Sequence, residues 1–199
     1  MGVSARMPFV DDLPSKSQIF EYWKECLFKL GFFIDWGEPS CWACGFCYDD
    51  KYDVTNPDTS WNETLRRWDK IPLQRCHIIA RSLGGSNDPA NLFLMCRECH
   101  DLMPNTTVPD VFFEWARTQS YWRRDEAKIR AALESFGRND ADLEALTGII
   151  RSKEFRSWSR EKVGLHRPQS NYASRLSRLT PATLIGLAIQ YQRESAKAP

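Results

Sequence analysis

Long apolar runs are missing from this sequence. None approaches the roughly 18 residues that a membrane-spanning helix needs, so no membrane partner is expected. Residues Met1 to Val10 lack the apolar core of a secretory signal. Arg6 stands where the myristoylation pattern requires Ser or Thr. The expected address is therefore intracellular: cytoplasmic, or nuclear in a eukaryote. Neither sign of charge is in excess, the formal net charge being +1, so whole-chain charge neither demands nor forbids a polyanionic partner. Internal repeats and low-complexity stretches are also missing, which excludes solenoids and linker-like proteins. Histidine is scarce, with three in 199 residues. Aromatic residues are not: they make up 13% of the chain and include eight tryptophans. Disordered chains are poor in such residues, so the expectation is one domain, or a small domain with a helical appendage.

Residues 1–14, with two prolines, read as a loose lead-in. Ser15 and Gln18 have capping-box spacing. Ile19, Trp23, Cys26, Leu27 and Leu30 then recur at helical intervals until Gly31, which predicts a helix with Cys26 on its apolar face. Residues 32–40 read as irregular or strand-like. The stretch 49–70 is polar, with Ser60 and Glu63 as a second cap before a short helix. Residues 73–103 read as strand, Gly-rich loop, strand and helix, with Pro104 ending the helix. Beyond Pro109 the pattern is helical. Val111, Phe112, Trp115 and Ala116 share a face, followed by helices near 123–136 and 140–150 and a last helix capped by Thr180 with Pro181 at its first turn.

Seven cysteines stand out, because five lie at two-residue spacing in two short clusters. Cys41-Trp-Ala-Cys44 and Cys96-Arg-Glu-Cys99 could each bite one ion from a tight turn. Together they supply the four sulfurs of a closed structural Zn²⁺ site. In a reducing compartment this arrangement favours metal over disulfides or buried free thiols. Cys47 extends the first cluster and could replace Cys41 or Cys44, although the glycine after Cys44 favours those two. The 51 residues between the pairs exceed ordinary zinc-ribbon spacing, so an insertion at 49–70 is expected to loop out.

Two of the three histidines fall in the window 77–100, and His100 directly follows Cys99. The string from Arg75 through His77-Ile-Ile, Gly84-Gly85-Ser86, Asp88-Pro89-Ala90-Asn91-Leu92 to Cys96-Arg-Glu-Cys99-His100 resembles the HNH endonuclease family. The resemblance covers about residues 41–105, and its strength lies in many linked parts in the right order. It implies an α+β fold: a small ββα-metal core with a structural zinc knuckle, flanked by an N-terminal helix (1–35) and a mostly helical C-terminal region (109–199). The nuclease module would be 36–108, with the insertion at 49–70. It also implies metal-dependent hydrolysis of DNA phosphodiester bonds. His77 would be the general base, a role that imidazole chemistry suits at neutral pH. Asn91 would fix the loop and hold the His77 ring by a hydrogen bond. His100 would bind a catalytic Mg²⁺ or Mn²⁺, although an imidazole ligand also admits Zn²⁺ or Ni²⁺.

Two departures from the family pattern bear on that metal. Cys76 stands where many members carry a ligand, and a thiolate suits Mg²⁺ poorly; the alternative is a small filler behind the strand. Pro104 occupies a second ligand position, leaving Asp101 and Asn105 as replacement oxygen donors.

Residues 151–178 hold eight Lys or Arg against Glu154 and Glu161, a run that could track a phosphate backbone or form a solvated helix face. Trp158, His166 and Tyr172 within it could stack on bases. Arg75, Arg81, Arg156, Arg160, Lys162 and Arg167 are the candidate nucleic-acid contacts. The expected partner is DNA, the same chemistry also serving RNA, with a homodimer or partner protein admitted. Restriction, phage defence or a mobile element would be the setting. The competing reading is a zinc-stabilised nucleic-acid- or partner-binding protein with a weakened catalytic site.

Overall fold

The computed structural model describes residues 13–48, 54, 56–164 and 179–196. The chain divides into two compact units, Met1–Gln119 and Ser120–Pro199.

The first unit is built on an antiparallel hairpin of β1 (Gln74–His77) and β2 (Leu92–Met95), in the register Gln74↔Met95, Arg75↔Leu94, Cys76↔Phe93 and His77↔Leu92. All four residues of β2 are buried, which is why Leu-Phe-Leu-Met carries no polar alternation: both faces of this strand are covered. Helix α3 (Arg97–Leu102) follows directly and packs back on β1. The order strand, loop, strand, helix and the α+β class are as the sequence pattern implies. Pro104 is not itself the stop, for the helix has already ended at Leu102, with Met103 extended.

Helix α1 (Lys16–Trp23) lies against the hairpin. Its start is the reciprocal cap read from the sequence: Ser15 Oγ accepts from Gln18 N–H, and Gln18 Oε1 accepts from Ser15 N–H. Such a cap contributes about 1 kcal/mol. The α-helix is shorter than its apolar pattern predicts. After Trp23 the chain turns and tightens into a 3-10 turn at Phe28–Leu30, ended by Gly31 at φ 83°. That break shifts the helical phase, so Leu27 stays buried while Cys26, expected on the apolar face, is exposed.

Helix α2 (Trp61–Lys70) lies inside the polar 49–70 segment and packs on α1. Ser60 caps it by accepting from Glu63 N–H. The Phe20 and Trp68 rings stack at 4.3 Å with 8° between planes. Asp69 accepts from the N–H and hydroxyl of Ser17, each at 2.9 Å. Lys16 Nζ donates to the Ile71 carbonyl, and burial pushes its ammonium down in pKa. Phe93 is the hub of this core, with rings of Trp23, Phe32, Trp42, Phe112 and Phe113 around it. Helix α4 (Pro109–Thr118) contributes Phe112 and Ala116 to the interior, whereas Val111 turns outward.

The second unit comprises α5 (Tyr121–Ser135), α6 (Leu143–Arg151), α7 (Lys153–Ser159) and α8 (Pro181–Ser195). Thr180 caps α8 by accepting from Thr183 N–H, with Pro181 in the first turn as expected. Ala132, Leu133, Leu146, Phe155, Ile185, Ala188 and Ile189 form its core. Among the described residues no helix is long and apolar enough to cross a membrane.

Candidate metal centre and active site

The fold brings the two cysteine pairs together. Cys41 and Cys44 sit on a tight turn in which Gly45 N–H donates to the Cys41 carbonyl at 2.8 Å. Gly45 has φ 75°, a conformation that side chains disfavour. Trp42 N–H donates to the Leu94 carbonyl at 3.0 Å, fastening the turn to β2. The second pair follows β2 without a gap. Cys96 caps α3, its sulfur accepting from Cys99 N–H at 3.5 Å.

All four sulfurs are buried and lie within 4.8 Å of one another, with Cys44 Sγ and Cys96 Sγ 3.8 Å apart. Zn–S bonds of about 2.3 Å in a tetrahedron place sulfurs about 3.8 Å apart, whereas a disulfide needs about 2.05 Å. The cluster thus has the spacing of an ion's ligand shell. Its electrostatics agree. Burial pushes the Cys41 thiol well up, while hydrogen bonds from Cys41, then Cys44 and Cys99, pull Cys96 far down. Buried thiolate character calls for a compensating cation, and the donor set fits a closed structural Zn²⁺ site. Cys47 is not among the four. It is half-buried, with Sγ 3.7 Å from the Gly45 carbonyl.

His77 closes β1 and is partly buried. Its Nε2 lies 3.0 Å from Asn87 Oδ1. The hydrogen bond expected from Asn91 to this ring is therefore replaced by one from Asn87. Asn91 is fully engaged with backbone: Oδ1 accepts from Ile79 N–H at 2.9 Å, and Nδ2 donates to the carbonyls of Ile79 and Ser86 at 3.0 and 2.8 Å. An amide has two donors and one oxygen, and these bonds use all three. Asn91 does fasten the loop, as the resemblance implies. Gly85 completes the fastening, since a Cβ there would lie 1.7 Å from the Ile79 carbonyl oxygen. Gly85 belongs to the Gly-Gly-Ser turn read from the sequence, but Asn87 was not singled out there. The only signal was a second Asn four residues before Asn91, and its reach depends on how the loop closes.

His100 and Asp101 lie on α3, the helix that packs on β1. His100 Nδ1 is 3.3 Å from Asp101 Oδ1, and Asp101 Oδ2 is 3.6 Å from Arg97 Nε. This contact engages the imidazole through Nδ1, so Nε2 is the ring nitrogen that could serve a ligand, the arrangement that carboxylate partners give to metal-binding histidines. Asp101 thus already serves His100 and Arg97. Asn105 is exposed, beyond the helix end. Cys76 is completely buried opposite Phe93, its Sγ 3.5 Å from the Gln74 carbonyl. Burial pushes its thiol up, and it lies outside the cysteine tetrad, in the packing behind the strand. Among the described residues, the cysteine tetrad is the one group of three or more His, Cys, Asp or Glu side chains placed to share an ion.

The basic candidates do not belong to one unit. Arg75 and Arg81 are exposed in the first; Arg75 donates to the Leu13 and Pro14 carbonyls at 3.3 and 3.2 Å. Arg156 and Arg160 are exposed in the second, at α7 and its end. Lys162 covers the Trp158 ring at 4.4 Å and donates to its carbonyl. Trp158 donates to Glu194 and packs on Phe155 and Tyr191, so it serves the helical core rather than offering an open stacking face. Arg167, His166 and Tyr172 lie outside the described residues.

A buried four-cysteine knuckle on a β-hairpin and helix, with a histidine at the end of the first strand and another on the helix, defines a ββα module of the zinc-knuckle type. The family model described as HNH endonuclease matches residues 69–104, and the chain carries an HNH endonuclease module there. The match spans both strands, α3 and the second cysteine pair. The first pair lies outside it and is added by the fold. No curated protein and no solved structure matches the chain.

Proposed function

We propose that this protein is a metal-dependent endonuclease hydrolysing DNA phosphodiester bonds, with the cysteine tetrad holding a structural Zn²⁺. The observation that carries the reading is the HNH match over the segment that places His77 on β1 and His100 on the helix packed against it.

In this reading His77 takes the proton of the attacking water. The water oxygen forms the new bond to phosphorus, the bond from phosphorus to the leaving oxygen breaks, and that oxygen departs with a proton from solvent. A divalent ion, Mg²⁺ or Mn²⁺, or Zn²⁺ or Ni²⁺ given an imidazole ligand, would neutralise charge on the phosphate and the leaving oxygen. His100 Nε2 would hold it, Asp101 orienting the ring and Asn105 offering an oxygen. So few protein donors suit an ion that keeps several waters and substrate oxygens. Arg75 and Arg81 in the nuclease unit, and Arg156, Arg160, Lys162 and Arg167 beyond it, would supply phosphate contacts. Restriction or phage defence is a setting such chemistry would serve.

The second reading is a zinc-stabilised DNA- or partner-binding protein with weak or no cutting. It is favoured by Cys76, whose burial removes a ligand position that many family members use. One experiment separates the two. The purified protein and its His77→Ala variant are incubated with plasmid, linear DNA and RNA in Mg²⁺ or Mn²⁺. Cutting of DNA that needs the metal and is lost in the variant is expected. Binding without cutting by the parent protein would overturn the nuclease reading.

A further inference from the structure

We infer that Asn87 is a positioning residue that sets the tautomer and direction of the His77 ring, making Nδ1 the nitrogen that accepts a proton. The inference rests on the proposed role of His77 as general base.

The geometry is direct. An amide oxygen only accepts hydrogen bonds, so at 3.0 Å from Asn87 Oδ1 the Nε2 of His77 must carry the hydrogen and donate it. In the neutral ring the lone pair then resides on Nδ1, which makes no hydrogen bond among the described residues. A general base needs that state: a neutral ring held at one edge, with its basic nitrogen open. A carboxylate acceptor would also hold the ring, but would favour its protonated form. Asp88, one residue on, is exposed instead.

Asn87 can do this because its neighbours on both sides are tied. Ser86 presents its carbonyl to Asn91 Nδ2 at 2.8 Å, and its hydroxyl accepts from Asp88 N–H at 3.3 Å. The Asp88 carbonyl accepts from Asn91 N–H at 2.9 Å. Upstream, Gly85 N–H donates to the Ala80 carbonyl at 3.0 Å. On the strand side, Ile78 N–H donates to the Asn91 carbonyl at 2.8 Å. Asn91 thus grips the backbone just beyond His77 and the backbone flanking Asn87. It acts on the ring at one remove, through the residue it delivers.

The test is nitrogen NMR of the zinc-loaded protein, at a pH where the imidazole is neutral. Long-range proton–nitrogen correlations distinguish the two tautomers. His77 should carry its proton on Nε2 in the parent protein. It should lose that preference in Asn87→Ala and Asn87→Ser, and keep it in Asn87→Asp, which retains an acceptor oxygen. Plasmid cutting in Mn²⁺ should fall about 10- to 100-fold in kcat in the Ala and Ser variants, the loss usual for orienting partners, and be partly restored in Asn87→Asp. A proton on Nδ1 in the parent, or a tautomer unchanged in both truncated variants, would overturn the inference. Absence of cutting by the parent would count against the nuclease reading alone, since the ring spectrum judges Asn87 without activity. The remaining resonances report whether each variant is folded.

Discussion

Asn91 and Ile79 are joined twice: the side-chain amide of Asn91 accepts from the Ile79 N–H at 2.9 Å and donates to the Ile79 carbonyl at 3.0 Å. The amide imitates a strand neighbour where the β-ladder has ended, and so holds the chain in register for two residues beyond His77. Asn91→Ala leaves partly buried backbone groups without partners, which costs about 1–3 kcal/mol for each unsatisfied group. The expected result is a lower denaturant midpoint and a loop whose amides exchange faster. Asn91→Asp should not rescue it, because an ionised carboxylate cannot donate to the Ile79 and Ser86 carbonyls. Full stability in the Asp variant would contradict this account.

Gly85 faces the same junction. A Cβ would meet the Ile79 carbonyl oxygen at 1.7 Å and Asn91 Nδ2 at 2.8 Å, and the first obstacle is backbone, which cannot swing aside. Gly85→Ala should therefore cost about 2 kcal/mol or more through forced displacement and should weaken the His77–Asn87 hydrogen bond. Gly84 has open space at its Cβ position but φ 88°, so Gly84→Ala should cost about 1 kcal/mol, from backbone strain alone. Thermal unfolding of both variants checks the order; an equal or smaller loss at Gly85 would refute the steric argument.

Metal analysis should find about one tightly held zinc per chain, on four-thiolate logic. Cys99→Ser, or stripping the ion with a strong chelator, should unfold the first unit, since such sites contribute on the order of 10 kcal/mol in zinc-finger peptides. A metal-free protein with an intact near-ultraviolet spectrum would disprove it.

Zinc loading should also depend on pH with a definite sign. Burial holds the Cys41 thiol protonated without the ion, so binding must expel a proton, and acid competes for the sulfurs. Stability from the ion is thus present at neutral pH and above, and is lost as pH falls. An indicator dye in weak buffer should record proton release on zinc addition, and an indicator for free zinc should record its escape on acidification to about pH 5. Zinc content indifferent to acid would count against the four-thiolate site.

Trp23 links α1 to the β1–β2 hairpin, its indole N–H donating to the carbonyls of Pro89 and Leu92 at 2.8 and 2.7 Å. Trp23→Phe keeps an aromatic ring in the core and deletes the donor. A loss of about 1–3 kcal/mol in urea unfolding is expected, the range for buried carbonyls left unpaired. An unchanged midpoint would mean that packing alone holds α1 in place.

Much of this molecule was legible in one dimension because the relevant physics is local. Caps at Ser15, Ser60 and Thr180, the strand–loop–strand–helix order of 73–103 and the two cysteine pairs all depend on residues within a few positions of each other. The sequence by itself determined the ligand chemistry of the knuckle and the candidates His77, Asn91 and His100. What only the tertiary structure decided were the relations that depend on chain closure. The approach of Cys41 and Cys44 to Cys96 and Cys99 depends on the turn being fastened to β2. The outward turn of Cys26 follows from a helix that stops early, where a periodic pattern reads straight on. Which of two nearby asparagines reaches His77 was settled by how the loop folds over Gly85, because a hydrogen bond requires about 3 Å and correct direction. Spacing along a chain states neither.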